Sequence, residues 1–223
     1  MKKAVCLISG GMDSAVAAAI ARSEGYEIYA LSFDYGQRHK KELVCAKKIA
    51  KFLKAREHRI LETGLGIFGG SALTADIEVP AGGKNSKDIP VTYVPARNTI
   101  MLSYALAYAE VAGAEAIYIG ANCIDYSGYP DCRPEYFRKF REMADLATKT
   151  GVQGRKIKIV TPLIELNKAG IVRKGMELGV PFKDTWSCYK GGEKACGVCD
   201  SCRLRLKGFA EAGSIDPAKY EKL

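Results

Sequence analysis

Residues 9–14 read Ser-Gly-Gly-Met-Asp-Ser and directly follow the apolar run 4–8. Gly10 and Gly11 carry no Cβ, so their backbone N–H groups can approach phosphate oxygens closely and adopt positive φ. The residues after them are Ala-rich and helix-forming as far as Arg22, and Gly25 stands where a helix-ending glycine belongs. A helix starting at this turn would aim its unpaired N–H groups and its dipole at the same anion. The chemistry is the grip of a pyrophosphate. No Lys follows the glycines, so this is not the Gly-x4-Gly-Lys-Ser/Thr loop. The nucleotide contacts are placed on Ile8, Ser9, Gly10, Gly11, Met12, Asp13, Ser14, Ala15, Val16, Ala17 and Ala18. Asp13 is the candidate Mg²⁺ contact, since that ion takes carboxylate together with phosphate oxygens.

A second group lies near the C-terminus. Cys188, Cys196, Cys199 and Cys202 are spaced Cys-x7-Cys-x2-Cys-x2-Cys. Tight Cys-x2-Cys turns face two thiolates to one ion, and four thiolates make a closed tetrahedral Zn²⁺ site with Zn–S of about 2.3 Å. Such a site leaves no position for water, so its metal is structural. An iron–sulfur cluster is the rival with four thiolates. Zinc is favoured because no Pro follows the last cysteine and the spacing forms a compact knuckle. Lys190, Lys194, Arg203 and Arg205 are placed to offset the charge of four thiolates.

Three further stretches could read a substrate. Phe33-Asp34-Tyr35-Gly36-Gln37-Arg38-His39 offers Tyr35 as a stacking face, with His39 read as a solvated loop residue. Val94-Pro95-Ala96-Arg97-Asn98 leads into a helix near Thr99, and Arg97 can grip a carboxylate or phosphate through two nitrogens. Asp125-Tyr126-Ser127-Gly128-Tyr129-Pro130-Asp131-Cys132-Arg133 packs acids, phenols and an arginine into nine residues. There Asp125 or Asp131 can accept from the amine and ring N–H of a guanine-like base, with Tyr129 and Arg133 beside them. Cys123 and Cys132 read as small structural residues, for no histidine base lies near in sequence. Lys168, opening a helix that carries Arg173, can neutralise a leaving pyrophosphate as a point charge.

These residues need a scaffold that brings loop ends together. Apolar runs at 4–8, 28–33, 57–60, 116–119 and 158–161 read as short buried strands, with helical spacing at 43–53 and 99–111. Such alternation implies an α/β fold, a parallel sheet with helices on both faces. Ligands bind beyond the carboxyl ends of strands in such sheets, which is where the stretches above fall. Residues 63–98, rich in Gly and Pro, read as a partly mobile cover over the site. The expected division is an ATP-binding α/β domain over 1–180 and a small zinc-binding segment over 181–223.

At 223 residues and 48% hydrophobic, the chain can bury a full core. It starts Met-Lys-Lys and enters a strand at once, which argues against a signal peptide, and no 18-residue apolar run occurs. A cytoplasmic protein with no membrane contact is expected. Eight cysteines in that compartment point to metal rather than disulfides. The balance of 34 basic against 25 acidic residues, +9, suits an anionic substrate, a nucleic acid or a solvated surface. The runs at 38–41 and 155–158 read as solvated flanks.

Taken with these motifs, the chain resembles the PP-loop ATP pyrophosphatases, which cleave ATP to AMP and pyrophosphate to activate an oxygen atom. Phe33–His39, Ser127–Arg133 and the Cys188-Tyr189 to Cys202 pattern are similar to the 7-cyano-7-deazaguanine synthase family of queuosine and archaeosine precursor synthesis, over nearly the whole length. That resemblance implies a Rossmann-like, adenine nucleotide alpha hydrolase-like fold and conversion of 7-carboxy-7-deazaguanine, ammonia and ATP to the nitrile, with one zinc per subunit in a homodimer. The sequence departs from the family at Gly170, where Glu commonly follows Lys-Ala.

Two other classes compete. A PP-loop enzyme modifying tRNA directly would use the basic surplus, yet the cysteines cluster as metal ligands, and 223 residues leave no room for an RNA-binding domain. A nucleic-acid-binding zinc module would leave residues 9–14 without purpose, so no stable nucleic-acid binding is expected. A glutamine-dependent synthetase would need a glutaminase, which makes free ammonia the expected donor.

Overall fold

The five apolar runs pair into one parallel sheet in the order β3-β2-β1-β4-β5. The computed structural model describes residues 1–37, 40–79, 89–124 and 128–221. Its strands are β1 (Lys3–Leu7), β2 (Glu27–Asp34), β3 (Glu57–Glu62), β4 (Ala116–Tyr118) and β5 (Lys158–Val160). The helices are α1 (Met12–Ser23), α2 (Lys41–Phe52), α3 (Arg97–Ala112), α4 (Pro134–Ala147), α5 (Lys149–Val152), α6 (Lys168–Glu177) and α7 (Asp200–Glu211). The strands agree with the sequence expectation to within two residues at each end, because short apolar runs in a doubly covered sheet carry a strong signal.

Strand alternation sends residues to two cores. Ala4, Cys6 and Ile8 join the alanines of α1, Ile49 of α2 and Ile171 of α6 on one face. Val5 and Leu7 join Leu102 and Ala105 of α3 and Phe137 and Phe140 of α4 on the other. The alanines of α1 let that helix lie close to the sheet, so Ala15, Val16, Ala17 and Ala18 are core residues. A third cluster joins Cys45, Ala72, Val79 and Trp186 to the four C-terminal cysteines. Phe182 and Phe209 belong to the first core, so the C-terminal segment shares packing with the sheet.

Helix α3 begins two residues earlier than expected, at Arg97. Within 63–98, Gly64–Phe68 form a 3-10 turn, and Ser71 and Ala72 are fully buried. Helices α4 and α7 were not anticipated. Strand order reverses between β1 and β4, and such a switch point opens a crevice at the strands' carboxyl ends.

Candidate active site

The turn leaving β1 is shaped by close backbone packing and by two serine hydroxyls. Gly10 has φ of +88°, and a Cβ there would lie 2.0 Å from the Glu42 carbonyl oxygen. Only glycine satisfies both conditions. Ser14 donates its hydroxyl to Gly11 O at 3.0 Å and accepts the Ser9 N–H at 3.1 Å. Ser9 Oγ accepts the Gly11 N–H at 3.2 Å. Loop donors are thereby gathered at the N-terminus of α1, where the dipole favours an anion. The Trp186 N–H donates to Gly10 O at 2.9 Å, so the chain just before the cysteines braces the loop.

Asp13, in the first turn of α1, accepts from Lys168 Nζ through both oxygens, at 2.8 and 3.1 Å. Lys168 opens α6 and is only 5% exposed, so the carboxylate supplies its counter-charge. Asn167 caps that helix by accepting the Gly170 N–H at 2.9 Å. Gly208 of α7 makes the approach possible, since a Cβ there would stand 2.4 Å from Lys168 Cγ.

The second group gathers at the start of α3. Ala96, just before the helix, has φ of +54°, a strained conformation for a residue with a Cβ, and it sets Arg97 as the first helical residue. The Asn98 N–H donates to Asp131 Oδ2 at 3.0 Å, and its amide donates to Asp131 O and to Cys132 Sγ. Asp131 thus caps α3, and burial raises its pKa against the pull of the Asn98 N–H and Arg97. Burial works against the Arg97 charge, yet Tyr35, Tyr129 and Asp131 around it hold the guanidinium above its ordinary value. Burial pushes Tyr35 up to about 12 and Cys132 up to about 11, which keeps that thiol unreactive.

Both groups open onto one cavity of about 240 Å³. It brings together Ile8, Ser9, Gly11, Met12, Asp13, Ser14 and Lys168 with Tyr35, Arg97 and Tyr129. Ala15, Val16, Ala17 and Ala18 pack into the core instead of the cavity. Asp131 does not line the cavity either, and Arg133 points its Nε at Pro130 O from the surface. Asp125, Arg38 and His39 lie outside the described residues.

The four cysteines fit a tetrahedral metal. Their sulfurs all lie within 4.8 Å of one another, and Cys196 Sγ and Cys202 Sγ are 4.0 Å apart. A Zn–S bond of about 2.3 Å sets neighbouring sulfurs roughly 3.8 Å apart. The Cys196 and Cys199 N–H groups point at Cys188 Sγ and Cys196 Sγ, both at 3.4 Å, as donors supporting thiolates do. Arg205 is not available to offset thiolate charge. Its guanidinium pairs with both oxygens of Asp216 at 2.7 and 2.9 Å and reaches Thr185, Ser187 and Phe182 O.

Comparison with known proteins decides the family. Residues 3–213 match the family described as Queuosine biosynthesis protein QueC. The chain belongs to that family. A 7-cyano-7-deazaguanine synthase of Dechloromonas aromatica is 61% identical over 223 residues, covering 99% of each chain. The protein of the same name from Geotalea uraniireducens is 62% identical, over 99% of this chain and 98% of that one. Among solved structures, a 4-thiouridine synthetase bound to RNA and ATP superposes with a TM-score of 0.54 at 20% identity, over 96% of this chain and 54% of the other. At that identity the likeness is one of fold alone.

Several cavity residues of this QueC-family chain escaped the sequence reading. Glu42, Trp186, Ser187 and Tyr189 all line it. Glu42 stands in an ordinary amphipathic helix, and no local pattern marks it. The only tryptophan was a signal that could have been used, since a lone large indole beside a metal site usually packs against something specific.

Proposed function

We propose that the chain converts 7-carboxy-7-deazaguanine and ammonia to 7-cyano-7-deazaguanine as an ATP-dependent carbon–nitrogen ligase. The observation that carries this reading is the single cavity shared by the phosphate loop and the Arg97 group, in a chain of this family. A carboxylate is a poor electrophile, so its oxygen must become a leaving group. Attack of that oxygen on the ATP α-phosphate forms an acyl adenylate and expels pyrophosphate. Ammonia then displaces AMP to give the amide. A second adenylation, at the amide oxygen, followed by loss of AMP leaves the nitrile.

Each group has a task in this sequence. The N–H groups in the first turn of α1 hold the phosphates, and Lys168 meets the charge of the departing pyrophosphate. Mg²⁺ bound with the phosphates would add charge neutralisation, and the Asp13 carboxylate at the cavity wall suits its preference for oxygen ligands. Arg97 grips the substrate carboxylate, and Tyr35 and Tyr129 flank the deazaguanine ring. Asp125, Asp131 and Arg133 complete the base-reading loop in this reading, with Asp131 acting from behind the wall through Asn98. Zinc in the four-cysteine site is structural and steadies the segment that braces Gly10. Residues 1–180 would form the ATP-binding unit and 181–223 the metal segment.

A homodimer is proposed as well, supported by Ile67 and Phe68, which are 82% and 78% exposed next to each other. No helix among the described residues is long and apolar enough to cross a membrane. The test is pyrophosphate release with 7-carboxy-7-deazaguanine and ammonia varied independently. Steady-state release that needs both substrates is expected, and Asp13→Asn should reduce it about 100-fold through loss of a phosphate-site charge. Release that ignores the base and responds to RNA would overturn the reading.

A further inference from the structure

Glu42 is the second residue of α2 and lines the cavity. An acidic residue in the first turn of a helix is ordinarily a solvated partner of the dipole. This one is not placed that way. Its backbone carbonyl abuts Gly10 so closely that no Cβ would fit, which fixes this turn of α2 against the phosphate loop. Among the described residues, no hydrogen bond engages its carboxylate. The charge acting on it most strongly is that of Arg97, across the same cavity.

We propose that Glu42 is the residue that binds the ammonium ion and takes its protons, so that nitrogen attacks beside the carboxyl group held by Arg97. The step rests on the adenylated carboxylate of the proposed synthase reaction. Ammonium passes one proton to the Glu42 carboxylate, which releases it to water in the open cavity. The ammonia lone pair then forms the C–N bond at the acyl carbon, and the C–O bond to AMP breaks with its electron pair going to the phosphate. The surplus proton on the new amide nitrogen passes to the same carboxylate.

The chemistry of the cavity favours this assignment. A cationic nitrogen source needs a negative wall in a site otherwise built for anions, and Asp13 already faces Lys168. An ordinary carboxylate is too weak a base to hold a proton near neutrality. Burial pushes Glu42 up to about 7, against the opposing pull of Arg97 from α3 and with a smaller push from Cys188 of the C-terminal segment. Tyr35, from the end of β2, feels the Glu42 charge in turn.

Two reactions of metal-replete protein separate this role from a structural one. Exchange of labelled pyrophosphate into ATP, with 7-carboxy-7-deazaguanine and no ammonia, reads adenylation. Turnover with ammonium varied reads the nitrogen step, and hydroxylamine, uncharged at neutral pH, serves as a nucleophile that brings no surplus charge. For Glu42→Gln we expect kcat/KM for ammonium to fall about 100-fold. Its rise with pH should move from about 7 to that of ammonium itself. Exchange and hydroxylamine turnover should change only a few-fold, and Glu42→Asp should recover part of the ammonium rate. A Gln variant with wild-type ammonium kinetics and pH profile overturns the proposal. So does equal loss of exchange and turnover in both variants, which is the mark of a collapsed loop. Wild-type protein with neither exchange nor turnover would instead overturn the synthase reading, and Glu42's role with it.

Discussion

Residues 9–14 and the Arg97 group face each other across one cavity but are made differently. The phosphate side comes from one contiguous stretch, and its donors are backbone N–H groups held by Ser9, Ser14 and the close approach of α2. The Arg97 side is assembled from the end of β2, the start of α3 and residues 129–132, and it works through side chains in a buried, charged cluster. Backbone donors at a strand-to-helix turn serve any polyphosphate. A base and its carboxyl group need side chains of particular shape, and those must be brought from several places. In the proposed reading, generic binding is local in sequence and specific binding is not.

The largest effect expected from that contrast is at Gly10. Gly10→Ala places a Cβ against the Glu42 backbone and forces a positive φ, a cost of roughly 3 kcal/mol or more. Urea unfolding should show that loss, together with disappearance of ATP binding. A variant of unchanged midpoint and ATP affinity would break the idea that backbone packing shapes this side.

Next comes the four-cysteine segment, which touches the loop through Trp186. Cys199→Ser should lose bound zinc, measured by elemental analysis, and lower stability by about 2 kcal/mol, a fall in Tm of roughly 4–8 °C. Because the segment braces Gly10, ATP affinity should weaken while base affinity changes less. Full metal retention at unchanged Tm would contradict the four-thiolate site, and an iron absorption band in anaerobically purified protein would favour the cluster.

On the other side, Arg97→Lys should raise KM for 7-carboxy-7-deazaguanine about 10-fold, because an ammonium cannot reproduce a two-point grip. Affinity for a non-hydrolysable ATP analogue should stay within about twofold. Equal weakening of both ligands would show that the two sides are not separable.

The smallest effect is expected at Gly170, the third residue of α6. Its N–H is capped by Asn167, and its Cβ position has room, the nearest atom being Asn167 Oδ1 at 3.4 Å. Glu at this place can reach back to the Asn167 N–H and completes a reciprocal cap. Gly170→Glu should therefore stabilise by about 0.5–1 kcal/mol in thermal unfolding and leave turnover intact, since it acts on the helix bearing Lys168 without touching the cavity.

Much of this could be read from sequence for physical reasons specific to each element. The strands were legible because β1, β2 and β4 lie inside a doubly covered sheet and must be apolar on both faces. The glycine turn after β1 was legible because Gly10 answers a backbone demand that few other residues meet, whereas Gly11, expected to share its positive φ, is extended at −80°. Asp13 and Lys168 were each singled out, but nothing in the chain announced that they would pair across 155 positions. Asp131 was read as a base acceptor from its loop, and the fold gives its carboxylate to the Asn98 N–H. Helices α4 and α7 were passed over because charged residues interrupt their apolar positions, and their burial depends on the partners they meet.

The sequence by itself determined the parallel α/β class, the glycine turn after β1 and the clustering of four cysteines, because each rests on near-neighbour spacing and on what a backbone or an ion requires locally. Tertiary structure alone decided that α2 would press its Glu42 turn onto Gly10, that Trp186 would tie the metal segment to the loop, and that Arg97, Tyr35 and Tyr129 would share a wall. Those contacts join residues tens to more than a hundred positions apart. They arise from close packing of helices on a twisted sheet, which no local pattern encodes.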